Sequence, residues 1–207
     1  MQSLRDSWCY TRRLQLTVVL ITFAWIGALA SPSWVAEGSS ADRLTDAVAW
    51  SFLFSGVGLR LWATCAIAGR KGWRLVTEGP YAYCRNPLYV GTFCLGIALA
   101  LLIKSALFAT VVGFLILFYV LGVVPAEERF LRRNLGDAYL RYCRDVPAWF
   151  PRFNAPLAAE PGLLDVRWSS LRAETLQSAC WCTLGVLADV TTQIHLTDVL
   201  PSFAYFV

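Results

Sequence analysis

The sequence predicts an all-α fold: a polytopic bundle of transmembrane helices, four to five spans including a short helical hairpin, with a C-terminal cytoplasmic helical segment. Three observations predict it. Of 207 residues, 57% are hydrophobic and only 15% are charged, against roughly 25% charged in ordinary soluble domains. Mean hydropathy is +0.52, more apolar surface than a soluble core of this size can hide. The apolar residues also come in runs of the length needed to cross a ~30 Å hydrocarbon layer, separated by short polar connections.

Leu14 to Ala30 is nearly all apolar and follows Arg12-Arg13. Ala28-Leu29-Ala30 has the small-residue look of a signal-peptide cleavage site, but further apolar segments follow at once, which favours a first transmembrane helix. Ala47 to Ala68 is the second span, broken only by Arg60 near one end. Leu88 to Ile103 and Ser105 to Val124 are separated by Lys104 and read as a helical hairpin turning at the membrane face. Both arms are short for the hydrocarbon layer, so tilt or burial against neighbours is expected. Thr175 to Ile194 is a weaker fifth candidate, diluted by Asp189 and several Thr and Ser. Residues 1–153 are read as the core, and residues 154–207 as an extension holding a spanning or interfacial helix without assigned chemistry.

Charge sets the orientation, because Lys and Arg favour the cytoplasmic side. Arg5, Arg12 and Arg13 precede the first span. Arg70, Lys71, Arg74 and Arg85 follow the second, and Arg129, Arg132, Arg133, Arg141, Arg144 and Arg152 follow the fourth. The connection after the first span holds Glu37, Asp42 and Asp46 with only Arg43. All three basic segments fall on one side if the first four helices span. The expected protein is therefore integral and multi-pass, with its N-terminus in the cytoplasm and the hairpin tip outside. The net charge of +4 follows from that bias and calls for no nucleic acid.

Seven cysteines give no disulfide framework. Cys65, Cys94, Cys180 and Cys182 lie in or near apolar segments, and Cys84 and Cys143 fall on the cytoplasmic side, where thiols stay reduced. Cys180-Trp-Cys182 lacks the C-x-x-C spacing of zinc or redox sites. The lone histidine, His195, lies beside a membrane end, so no metal site is expected. No Gly-rich phosphate loop and no Ser/His/Asp set can be assembled.

The polar chemistry is concentrated in two stretches on the cytoplasmic side, Arg70 to Gly91 and Pro125 to Phe153. Part of each is punctuation. Gly79-Pro80 marks a turn. Asn86-Pro87 is a helix start, with Asn as cap and Pro as first helical residue. Pro125-Ala-Glu-Glu reads as another helix start, with acids facing the dipole. Leu131, Leu135, Tyr139 and Tyr142 repeat at helical spacing, so Glu127 to Arg144 reads as an amphipathic surface helix. Punctuation leaves unexplained Arg85 and Tyr89 beside a tight helix start, and a doubled acid at the matching depth.

These residues carry a resemblance. Leu75-Val-Thr-Glu-Gly-Pro-Tyr81, Arg85-Asn-Pro-Leu-Tyr-Val-Gly91, and Glu127-Glu128 followed by Leu131, Gly136, Tyr139, Tyr142, Val146 and Pro151 resemble motifs of one family. It is the membrane-embedded methyltransferases grouped around isoprenylcysteine carboxyl methyltransferase and phosphatidylethanolamine N-methyltransferase. The likeness spans Gly56 to Phe153. It implies an S-adenosylmethionine (SAM) site between the cytoplasmic helix ends and the C-terminal cytoplasmic segment, with a lipophilic acceptor arriving sideways from the bilayer. The residues expected to bind the cofactor are Thr77, Gly79, Pro80, Tyr81, Arg85, Asn86, Tyr89, Gly91, Glu127 and Glu128, with Arg85 and Glu128 assigned to catalysis.

The residue chemistry is compatible. Carboxylates suit the cationic amino-acid end of SAM and Arg suits its carboxylate, a helix N-terminus offers N–H groups to an anion, and aromatic rings stack on adenine. Adjacent helical residues diverge by about 100°, so only one of Glu127 and Glu128 is expected to meet a given ligand group. Two positions depart from the prenylcysteine branch: Asn86, where His is frequent, and Val123-Val124-Pro125, where Arg often precedes the acids. Gly56-x-Gly58 resembles a short glycine motif of the phospholipid enzymes, and close helix packing explains it equally.

The expected function is SAM-dependent methyl transfer to a lipophilic acceptor, most like isoprenylcysteine carboxyl O-methylation. Phospholipid N-methylation is the alternative in chemistry. An NADPH-dependent reductase of the sterol reductase type, or a non-enzymatic scaffold or transporter, is the alternative in class.

Overall fold

The computed structural model describes residues 8–36, 38–67, 75–151 and 168–196. The basic residues Arg5, Arg70, Lys71, Arg74 and Arg152, Glu37, and the 153/154 boundary expected from the sequence lie outside the described residues. The apolar runs form helices: α1 (Trp8–Ala28), α2 (Ser40–Ile67), α3 (Pro87–Ile103), α4 (Ala106–Phe118), α5 (Val124–Leu135), α6 (Asp137–Asp145) and α7 (Trp168–Leu196). A 3-10 turn, Gly79–Ala82, precedes α3. No strand forms among the described residues.

The all-α expectation holds. Among the described residues two helices are long and apolar enough to cross a membrane: α2, and the continuous 30-residue helix Ala106–Leu135. With 17 residues, α3 reaches only ~26 Å at 1.5 Å per residue. α7 starts before the Thr175–Ile194 window and runs for 29 residues.

Two local expectations are overturned. Pro125 does not start a helix. The backbone runs from α4 through a π turn at Tyr119–Val123 straight into α5, with Val124 N–H donating to Tyr119 O. A proline lacks the N–H that would reach back to Leu121, and its ring crowds that carbonyl. The wider π turn just before it takes up the mismatch that would otherwise kink the helix. Nor do Glu127 to Arg144 form one helix. Gly136 sits at φ +55, a conformation costly to any residue with a Cβ, and separates α5 from α6.

The chain divides into two compact units, 1–53 with 96–130 and 182–207, and 54–95 with 131–181. In the first unit the core is Phe108, Leu53, Leu99 and Leu102, all fully buried. The Trp25 ring meets Phe108 edge-on at 5.9 Å, the geometry aromatic quadrupoles favour. The hairpin turn is built as the sequence suggests. Lys104 takes φ +52 and Ser105 caps α4 by accepting from Phe108 N–H. What the sequence did not suggest is that the turn is buried. The Lys104 ammonium is held by Asp42 and, at 2.7 Å, by Asp46, the acids that made the first connection negative. Trp34 N–H donates to Lys104 O at 3.1 Å, and the hydroxyls of Ser31 and Ser105 meet at 2.6 Å.

In the second unit the packing rests on glycines. A Cβ on Gly56 would lie 2.9 Å from Gly91 O and 2.9 Å from Leu95 Cγ, whereas one on Gly58 would meet nothing within 4 Å. Gly56 therefore acts as a small-residue contact between helices. Large apolar side chains stay exposed on helix surfaces, among them Leu14, Phe23, Phe54, Phe114 and Leu121, which suits lipid and would be costly in water.

Candidate functional site

The second unit brings the first polar stretch against the latter half of the second. Gly79 adopts φ +60, which turns the chain into the 3-10 turn. Pro87 opens α3, and Tyr89 and Val90 N–H both donate to Asn86 O. The segment between is bonded along the residues that follow α6. Arg85 N–H donates to Pro147 O at 2.9 Å, and its Nη1 reaches Cys143 O at 3.5 Å. Asn86 Nδ2 donates to Ala148 O at 3.1 Å. The Cys84 thiol donates to Ala148 O and Trp149 O at 3.2 and 3.3 Å. Tyr142, buried in α6, donates its hydroxyl to Tyr81 O at 2.7 Å. The Asn86 side chain is thus engaged with the downstream strand of chain as well as standing at the start of α3.

A cavity of about 400 Å³ opens beside this junction, lined by Leu59, Trp62, Pro80, Tyr83, Cys84, Pro87, Val90, Trp149 and Pro151. Its walls are almost wholly apolar and its size lies within the ordinary range of ligand pockets, ~300–1,000 Å³. Trp62 and Tyr83 pack at 6.3 Å, and Trp149 packs on Phe93 at 5.6 Å. Burial pushes the Cys84 thiol above its usual range, although the Asn86 N–H and the Arg85 charge favour its thiolate.

Among the expected site residues, Pro80 lines the cavity, as does Pro87, expected only as a helix start. Tyr81, Arg85, Asn86 and Tyr89 are half-buried, and Thr77 is exposed. Gly91 is buried against α2: a Cβ there would lie 2.6 Å from Arg60 Cγ and 3.0 Å from Gly56 O. Glu127 and Glu128 are half-buried in α5, in the first unit. Because helix runs unbroken before them, they do not face free N–H groups, and the helix-start explanation of the doubled acid is removed. Sequence reading missed Trp62, Tyr83 and Trp149. Trp149 had a signal, falling between Val146 and Pro151 of the motif; Trp62 had none, being one more apolar residue in a span. Among the described residues no group of three or more His, Cys, Asp or Glu is placed to hold a metal ion.

The model of the phospholipid methyltransferase family matches residues 48–138. The nickel-cobalt-cadmium resistance protein NccN of Alcaligenes xylosoxydans xylosoxydans is 32% identical over 96% of this chain and 91% of its own. The cobalt-zinc-cadmium resistance protein CzcN of Cupriavidus metallidurans is 31% identical over 94% of this chain and 88% of its own. The protein-S-isoprenylcysteine O-methyltransferase of Schizosaccharomyces pombe is 31% identical over 39% of this chain and 34% of its own. No solved structure matches. The chain belongs to one family with NccN and CzcN, and within it residues 48–138 match the phospholipid methyltransferase family and share local similarity with the isoprenylcysteine O-methyltransferases.

Proposed function

We propose that the protein transfers a methyl group from SAM to a lipophilic, membrane-soluble acceptor, from a multi-pass position with its site on the cytoplasmic side. The observation that carries this reading is the apolar cavity whose walls include Pro80, Pro87 and Val90 of the motif itself.

The residues present suit the cofactor. Arg85 matches its carboxylate, and Tyr81 and Tyr89 are half-buried aromatics close to it in the chain. Glu127 and Glu128 are assigned its cationic end on their place in the motif. The bound cofactor supplies a methyl on a sulfonium, open to in-line displacement. What the chain adds is alignment and dryness. The hydrogen bonds from Arg85 and Asn86 to Cys143, Pro147 and Ala148 hold the start of α3 in place, and the Trp and Tyr walls exclude water. A carboxylate acceptor needs no general base, which favours an O-methyltransferase most like the isoprenylcysteine enzymes. Phospholipid N-methylation is the second reading, favoured by Asn86 and by the family description.

The two full-length relatives are named for metal resistance, and we place the methyl transfer in that setting. Loss of the gene should lower tolerance to nickel, cobalt, zinc or cadmium, and only alleles that retain methyl transfer should restore it.

Titration of the purified protein with SAM and with NADPH tests the class. SAM binding, weakened by Arg85→Ala with little loss of folded protein, supports the reading. Binding of NADPH alone points to a reductase, and binding of neither to a scaffold or transporter. Labelled methyl transfer to a prenylcysteine analogue or to phosphatidylethanolamine vesicles then separates the two acceptors.

A further inference from the structure

Arg60 lies seven residues inside the C-terminal end of α2, about 10 Å from it at 1.5 Å per residue. Its guanidinium is fully engaged by two other helices. Nε and Nη2 form a two-pronged pair with the Glu174 carboxylate at 2.8 and 3.1 Å, and Nη2 also reaches Gln177 Oε1 at 3.1 Å. Nη1 donates to Thr92 Oγ1 at 2.6 Å. Glu174 is 7% exposed, on α7, a helix beyond the residues matched by the family model. A desolvated ion pair is a poor way merely to fasten helices, since apolar side chains of the same size hold them as well or better. An ionised group within an apolar helix points to a task.

The geometry shows the task. The Arg60 stem crosses Gly91, the last residue of the Arg85–Gly91 run, closely enough that a Cβ there would lie 2.6 Å from Arg60 Cγ. Its head bonds the hydroxyl of the next residue, Thr92, which in turn donates to Leu88 O at 2.9 Å. Arg60 therefore grips the first two turns of α3 from the side, and these turns carry Tyr89 and follow directly on Arg85 and Asn86. The carboxylate of Glu174 fixes the guanidinium in the one orientation that makes this grip.

We propose that Glu174 and Arg60 are positioning residues for the start of α3, and that α7 is a working part of the methyltransferase rather than an appendage. This rests on the function proposed above. The expected effect of releasing the grip is misalignment, which lowers kcat by about ten- to a hundredfold and leaves the acceptor KM within about threefold.

Wild type, Glu174→Gln, Arg85→Ala and the double variant are compared in SAM affinity, kcat and acceptor KM. If Glu174 acts through the start of α3, Glu174→Gln lowers kcat in the wild-type background and costs far less once Arg85 is gone. Additive losses would mean that Glu174 only fastens α7, and unchanged kcat in Glu174→Gln would mean that it does nothing; either overturns the proposal. Thr92→Val keeps the Arg60–Glu174 pair and removes the grip on α3 together with the Thr92–Leu88 bond. It should lower kcat about fivefold or more, and it carries the test if Glu174→Gln does not fold; wild-type kinetics there also overturn the proposal. Failure of the wild type to bind SAM defeats the proposed function itself, a distinct result.

Discussion

Alanine at Gly56 and at Gly58 should have opposite consequences, although the two stand two residues apart in one helix. Both substitutions gain the same intrinsic helix preference, about 1 kcal/mol for Ala over Gly. At Gly58 nothing opposes it, because a Cβ there has no neighbour within 4 Å, so Gly58→Ala should stabilise by about 0.5–1 kcal/mol. At Gly56 the added carbon would lie 2.9 Å from Gly91 O, a backbone atom, and 2.9 Å from Leu95 Cγ. Backbone cannot swing aside as a side-chain tip can, so the overpacking cost is about 1–3 kcal/mol. The propensity gain cancels from the comparison, leaving Gly56→Ala the less stable by that 1–3 kcal/mol. At about 2–4 °C per kcal/mol for a chain of this size, the midpoints separate by roughly 2–12 °C. Thermal unfolding of both variants in one detergent, followed by SAM titration, is the assay. The packing argument predicts that Gly58→Ala unfolds higher than wild type and binds SAM unchanged. Should Gly58→Ala instead be the variant that loses SAM affinity, Gly56-x-Gly58 is a cofactor motif and the reasoning from contact distances is refuted.

The doubled acid gives a second prediction: one of Glu127→Gln and Glu128→Gln, with Glu128 the expected one, should lose about ten- to a hundredfold in SAM affinity. That is the size of one charge-assisted hydrogen bond of about 1.5–3 kcal/mol, and calorimetric binding within about threefold of wild type for both would remove the acids from the site. Cysteine labelling in sealed vesicles of known sidedness gives a third. Half-buried Cys143 should react from the cytoplasmic face alone, and reaction from the outer face would invert the topology. Cys84, whose burial raises its pKa above the ordinary 9.0, should remain in its unreactive thiol form through neutral pH and react appreciably only in alkali. Ready alkylation of Cys84 at pH 7 in folded protein would contradict its burial.

What was legible in the sequence was what local rules determine. Asn86-Pro87 starts a helix wherever it is placed, and Lys104 with Ser105 turns a hairpin, so both read correctly. Pro125 misled because the rule that a proline starts or stops a helix has an exception. A π turn upstream makes room for the ring, and Tyr119–Val123 carries no composition that announces one. The consequence reaches the site: once Pro125 is interior, Glu127 and Glu128 lose the helix-start dipole as their explanation. Arg60 was located by the sequence but not explained: its partners Glu174 and Gln177 are more than a hundred positions away, and no periodicity connects two such distant helices. The same long range hid the cavity, since Trp62 and Trp149 become neighbours of one space only after Cys84, Arg85 and Asn86 have bonded to the carbonyls of residues 147–149. Motif residues are readable because their chemistry is carried by type and spacing; the residues that hold them in place are chosen by the surface they meet. Glu174 belongs to the second kind, which is why the far end of the chain looked empty of chemistry and is where the structure locates the grip on α3.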